Sequence, residues 1–123
     1  MKTQRFQDLI VWQKAHALTL KIYSTTKNYP KEEIYGLTSQ VRRAAVSVAA
    51  NIVEGYRKKG SADKMRFMNI SEGSIDEVKY FIILSKDLGY INDSSYQQLF
   101  ELSEEVSKLL NAYINAIKRN ANA

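Results

Sequence analysis

"RRAAVSVAANIVEGYRKKG", residues 42–60, is the stretch whose reading decides the fold. Two arginines open it, small apolar residues fill it, and a glutamate, a glycine and a run of cations close it. On a helical wheel, Arg43, Ser47, Asn51, Glu54 and Lys58 fall within about 80° of one another. The rest of the circumference is apolar or small, interrupted near its ends only by Arg42 and Arg57. A helix that is apolar nearly all round is a buried helix. A lone four-helix bundle buries one stripe per helix, so Val46, Ala50 and Val53 predict a covering partner, most simply another copy of the chain. The bland alternative is an alanine-rich helix that tolerates exposure, since alanine is the best helix former. Val46, Ile52 and Val53 weigh against it. The polar stripe reads as a structural network: Asn51 and Glu54 lie three residues apart, and Arg43 and Lys58 can balance Glu54.

Outward from this stretch the chain is helical throughout. It has 123 residues, enough for one domain over 1–123, with 45% apolar and 25% charged residues. A single proline, Pro30, and the glycines Gly36, Gly60 and Gly89 fall where helices should stop. The spacing predicts helices over about 9–27, 37–58, 62–88 and 94–119, with Asp8, Ser61 and Asp93 as N-caps. Leu9, Val11, Trp12, Ala15, Leu18, Ile22 and Tyr23 share one face of the first. In the third, Phe67, Ile70, Ile75, Val78, Phe81, Ile82 and Leu88 form the apolar stripe. Ser71, Ser74 and Ser85 on it allow a close neighbour, and Gly73 can do the same on another flank. In the fourth, Leu99, Leu102, Val106, Leu109, Leu110, Tyr113 and Ile117 face inward. Short connections predict an all-α, antiparallel up-down-up-down four-helix bundle, here assembled as a homo-oligomer.

Charge is distributed unevenly. Residues 1–66 hold 13 lysines and arginines against 5 acids, and residues 67–123 hold 5 against 8. The halves therefore carry +8 and −3. Arg57, Lys58, Lys59, Lys64 and Arg66 crowd a single turn with only Asp63 to oppose them. Such a patch suits a polyanion, although a solvated cationic loop would look the same. Tyr56 and Phe67 adjoin it and can stack on bases, or pack in the core.

The stretch "LTSQVRRAAVSVAANIVEGYRKK" (37–59) resembles the signature of the bacterial 23S rRNA intervening-sequence proteins, also called four-helix-bundle proteins. "DLIVWQKAHALTLKIY" (8–23) and "FIILSKDLGYI" (81–91) are similar to that family's first helix and the end of its third. The resemblance spans roughly residues 5–115 and is specific, since three separated motifs occur in order. It implies a bundle assembled as a homopentameric ring, often encoded within insertions in 23S rRNA genes, with no established enzyme activity. The signature places characteristic residues at Arg42, Arg43, Asn51, Glu54 and Gly55. A retroelement relative similar in fold, the accessory variability determinant, binds nucleic acid and its reverse transcriptase. Near Ala49 the family often has proline; alanine here favours an unbroken helix.

Chemistry is sparse. There is no cysteine, so disulfides, thiol nucleophiles and thiolate metal sites are absent, which suits a cytoplasmic setting. The one histidine, His16, has Gln13 three residues before it, so the Glu-x-x-His pairs of a di-iron bundle are missing. His16 falls at the edge of the apolar face and reads as a packed or edge residue. No nucleophile elbow, phosphate loop or dinucleotide fingerprint occurs. No apolar run is long enough to span a membrane, and the polar start, Met1 to Asp8, lacks a signal peptide's apolar core. No catalytic residue, metal site or cofactor is expected. The expected function is nucleic-acid binding, RNA or DNA, by Arg57, Lys58, Lys59, Lys64 and Arg66, with little base readout. Arg42 and Arg43 either join them or hold the interface. The alternative is a scaffold for a protein partner such as a reverse transcriptase.

Overall fold

The computed structural model describes residues 5–122 and, within that range, no side chain of residue 122. Met1–Gln4 of the polar start, and Ala123, lie outside the described residues. Four long helices account for most of the chain: α1 (Ile10–Thr26), α2 (Leu37–Arg57), α3 (Ser61–Asp87) and α4 (Asp93–Asn122). Short 3-10 turns occupy Phe6–Asp8 and Lys31–Glu33, and there is no strand among the described residues.

Each long helix packs on two others: α1 and α3 each touch α2 and α4. The hydrophobic spacing read from the sequence explains the seat of each. Val11, Ala15, Leu18 and Ile22 of α1 meet Val41, Ala45, Val48 and Ile52 of α2 in one core. Ile75, Val78 and Ile82 of α3 and Leu99, Val106, Leu110 and Ile114 of α4 complete it. The partners' numbers run in opposite senses along each contact. Lys14 pairs with Glu105 and Lys21 with Gln98; Lys79 pairs with Glu104 and Lys86 with Asp93.

The third helix departs from its expected stripe. Ile70 is 45% exposed, and Leu88 lies just beyond the helix and is 50% exposed. Met68, absent from that stripe, is wholly buried. Ser71, Ser74 and Ser85 are buried as expected. Ser71 donates to the Val48 carbonyl at 2.9 Å, so a small polar residue lets α3 approach the α2 backbone without leaving its own hydroxyl unpaired.

The expected caps are corrected. Asp8 sits inside the first 3-10 turn, paired with Arg5 at 3.3 Å, and Leu9 precedes α1 without a side-chain cap. Ser61 is the first residue of α3, following Gly60. Asn92, not Asp93, caps α4: its Oδ1 accepts the Ser95 N–H at 2.8 Å. Gly89 stops α3 as expected. At φ 81° it carries a left-handed cap in which the Tyr90 N–H reaches the Ser85 carbonyl and the Gly89 N–H reaches that of Lys86.

Candidate nucleic-acid interface

The basic turn is built by the close approach of α2 and α3. Gly55 makes that approach possible: a β-carbon there would collide with Met68 Cε and lie 3.2 Å from Phe67 Cβ. Past Gly55, α2 runs only to Arg57, and Lys58 turns extended at φ −72°, ψ 146°. Gly60 then leads into α3 with no left-handed twist. The helix therefore ends three residues before the glycine expected to stop it.

Of the five expected phosphate contacts, Lys64 is differently employed. Its Nζ donates to the carbonyls of Gly55 and Tyr56 at 3.3 and 3.0 Å, in the last turn of α2, where the Gly55 carbonyl also accepts the Lys58 N–H at 3.2 Å. The same ammonium lies 5.7 Å from the Tyr56 ring centroid. Partial burial there pushes it below the ordinary lysine value. Lys64 is thus a positioning residue that holds the turn in shape.

Lys58 and Arg66 both sit on the Phe67 ring, at 5.2 and 4.9 Å from its centroid. Arg66 makes a loose pair with Asp63 at 3.9 Å, both side chains more than half exposed, which contributes little. Arg57 and Lys59 are exposed and have no ion pair among the described residues. Phe67 packs against the core under its two cations, so the base-stacking role weighed for it gives way to packing. Tyr56 is half-buried beneath Lys64.

The last turns of α4 join the same end of the molecule, which the sequence reading missed. Lys59, Ser61 and Lys64 line a cleft of about 290 Å³ with Tyr113, Ala116, Ile117 and Asn120. Lys118 and Arg119, both exposed, lie within that stretch of α4. Some fifty residues separate them from the turn in sequence, so no local run of charge could reveal them.

The signature residues of α2 divide between two sides. Arg42 is tied down: its Nε donates to Thr26 Oγ1 at 2.8 Å and its guanidinium covers the Tyr23 ring at 4.7 Å. Asn51 turns to Ser47, not Glu54, donating to its carbonyl at 2.8 Å and its hydroxyl at 3.1 Å. Ser47 and Ser74 share a hydrogen bond of 2.8 Å, so the polar seam joins α2 to α3. Glu54, half-exposed, has no ion pair among the described residues, and neither Arg43 nor Lys58 balances it. Arg43 lines a groove of about 420 Å³ between α2 and α3, with Glu77 among its other walls. Val46 and Ala50 are exposed and Val53 half-exposed, so within one chain α2 buries a single side.

Among the described residues no cluster of three or more histidines, aspartates or glutamates could hold a metal, and no helix is long and apolar enough to cross a membrane. His16 stacks on Trp12 at 4.9 Å, the edge position expected.

The sequence profile of the 23S rRNA-intervening sequence protein family matches residues 7–112. The chain belongs to that family. A crystal structure from Bacteroides thetaiotaomicron, of a protein with unknown function from the S23 ribosomal protein family, superimposes with a TM-score of 0.80. It is 24% identical, over 89% of this chain and 98% of the other, and that likeness shows the fold. The comparison with curated proteins returns no significant match. The matched profile takes in the whole basic turn and stops at residue 112, short of Lys118 and Arg119.

Proposed function

We propose that this family member is a non-enzymatic, cytoplasmic protein that binds structured nucleic acid through a basic patch repeated around a homopentameric ring. Each subunit is an antiparallel up-down-up-down bundle, an arrangement supported by the opposed numbering of its ion pairs. The observation that carries the binding reading is the basic end. Arg57, Lys58, Lys59 and Arg66 keep their charges toward solvent or over an aromatic ring, and the exposed Lys118 and Arg119 stand on the last turns of α4 at the same end. Phosphate contacts of this kind release counterions, and repetition around a ring multiplies weak contacts by avidity. With Phe67 engaged beneath two cations, backbone contact dominates over base readout.

The test is a salt titration of binding to a folded RNA. Affinity should fall steeply and linearly on logarithmic axes, and Lys58→Glu with Lys59→Glu should flatten that slope by about 1–2 per patch and weaken binding at least tenfold. A flat salt response, or unchanged affinity in the double variant, would sink the proposal and turn the patch toward an acidic protein partner.

A further inference from the structure

We infer that two different outer faces of the chain, one on α2 and one on α3, bind each other between copies, so that the subunits join head to tail. This rests on the homo-oligomer reading above and adds which surfaces meet. The α2 face is the row Arg43, Val46, Ala50, Val53 and Arg57. Its members recur every three or four residues, the spacing of a helix–helix seam. Arg43, Ala50 and Arg57 are exposed, Val46 is 42% exposed and Val53 is half-exposed.

The α3 face is the row Ile70, Gly73, Glu77, Tyr80 and Leu84, with the same alternating spacing. Ile70 is 45% and Tyr80 57% exposed, so the row is as apolar and as uncovered as its counterpart. Gly73 marks where a second helix fits. It lies in mid-helix, where glycine is the poorest former after proline, and a β-carbon there would meet nothing within 4 Å. The chain itself therefore supplies no packing reason for the residue, whereas a neighbour's helix can come closest over a residue with no side chain.

Charge selects unlike faces over like ones. Arg43 and Arg57 bracket the α2 row, and Glu77 interrupts the α3 row with Asp76 beside it. None of these four has an ion pair among the described residues. Pairing α2 with α2 would oppose arginines, and α3 with α3 would oppose carboxylates. Only the mixed pairing joins opposite signs, and a contact between two different patches propagates from subunit to subunit until it closes.

Two variants of the full chain test this by light scattering at micromolar concentration, with circular dichroism to confirm that each stays helical. Val46→Glu blocks the α2 row; Gly73→Lys blocks the α3 row at a site with room for the side chain. Each alone should lose assembly and run at the 14.1 kDa chain mass. Mixed in equal amounts they should form a complex of twice that mass, because one chain keeps an intact α2 row and the other an intact α3 row. If Gly73→Lys still assembles like the wild type, or the mixture stays monomeric, the pairing is wrong even though the chain is an oligomer. A wild-type chain that is itself monomeric removes the oligomer reading and this inference together.

Discussion

Gly55 shows how much one absent side chain can decide. Its neighbours Met68 and Phe67 occupy the space a β-carbon would need, and the wholly buried Met68 would have to swing its terminal methyl aside. Gly55→Ala gains about 1 kcal/mol of helix propensity but overpacks the contact by about 1–3 kcal/mol. A net loss of about 1 kcal/mol is expected, read as a lower denaturant midpoint at unchanged m-value. The residue's oddity, a glycine inside a helical run, was plain in the sequence. Its reason was not, because Met68 and Phe67 reach it only across the turn. Lys64 teaches the same lesson in the opposite direction. As a letter it is one more cation in a basic run; in the fold its ammonium serves the carbonyls of Gly55 and Tyr56.

At the scale of elements, the helices themselves were legible from proline, glycine and the apolar spacing, to within about three residues at each end. The caps were not. Asp8, Ser61 and Asp93 are all good capping residues, yet the chain enters each helix one residue to either side of them. Capping depends on the backbone angle of entry, which the preceding connection imposes. The connection between α1 and α2 carries its own device. Glu33 accepts the Leu37 N–H through Oε1 at 3.2 Å and the Tyr90 hydroxyl through Oε2 at 2.7 Å, tying the start of α2 to the α3–α4 turn. These hydrogen bonds, Tyr90's first, hold the carboxyl below its ordinary 4.5. A depressed carboxyl stabilises the fold above its unfolded value, and that contribution is lost as pH falls through the folded one. Thermal melts from about pH 7 to about pH 3 should therefore show Glu33→Gln less stable than wild type near neutrality, with the gap closing in acid. A gap that stays constant with pH would mean the tie carries no charge dependence.

For the whole molecule, the end that carries the basic run also carries the last turns of α4. α4 returns to the α2–α3 turn, where Tyr113, Ala116 and Ile117 share a cleft with Lys59 and Lys64, and the exposed Lys118 and Arg119 stand on the same last turns of that helix. Lys118→Glu with Arg119→Glu tests whether the proposed contact reaches α4: binding to folded RNA should weaken about tenfold and its salt dependence fall, the outcome also expected for reversal of Lys58 and Lys59. Unchanged binding would confine the contact to the turn. By itself the sequence determined that this protein is all-helical with four long helices, which residues form most of its core, and where its local charge lies. Those properties follow from periodicity and composition, which neighbours in the chain carry. Only the tertiary structure decided that Lys64 braces the turn, that α4 returns beside it, that Asn51 turns to Ser47, and that α2 and α3 leave separate apolar rows uncovered. Each of these depends on which side chains meet across helices, and the contacts that decide them join residues that lie apart in the chain.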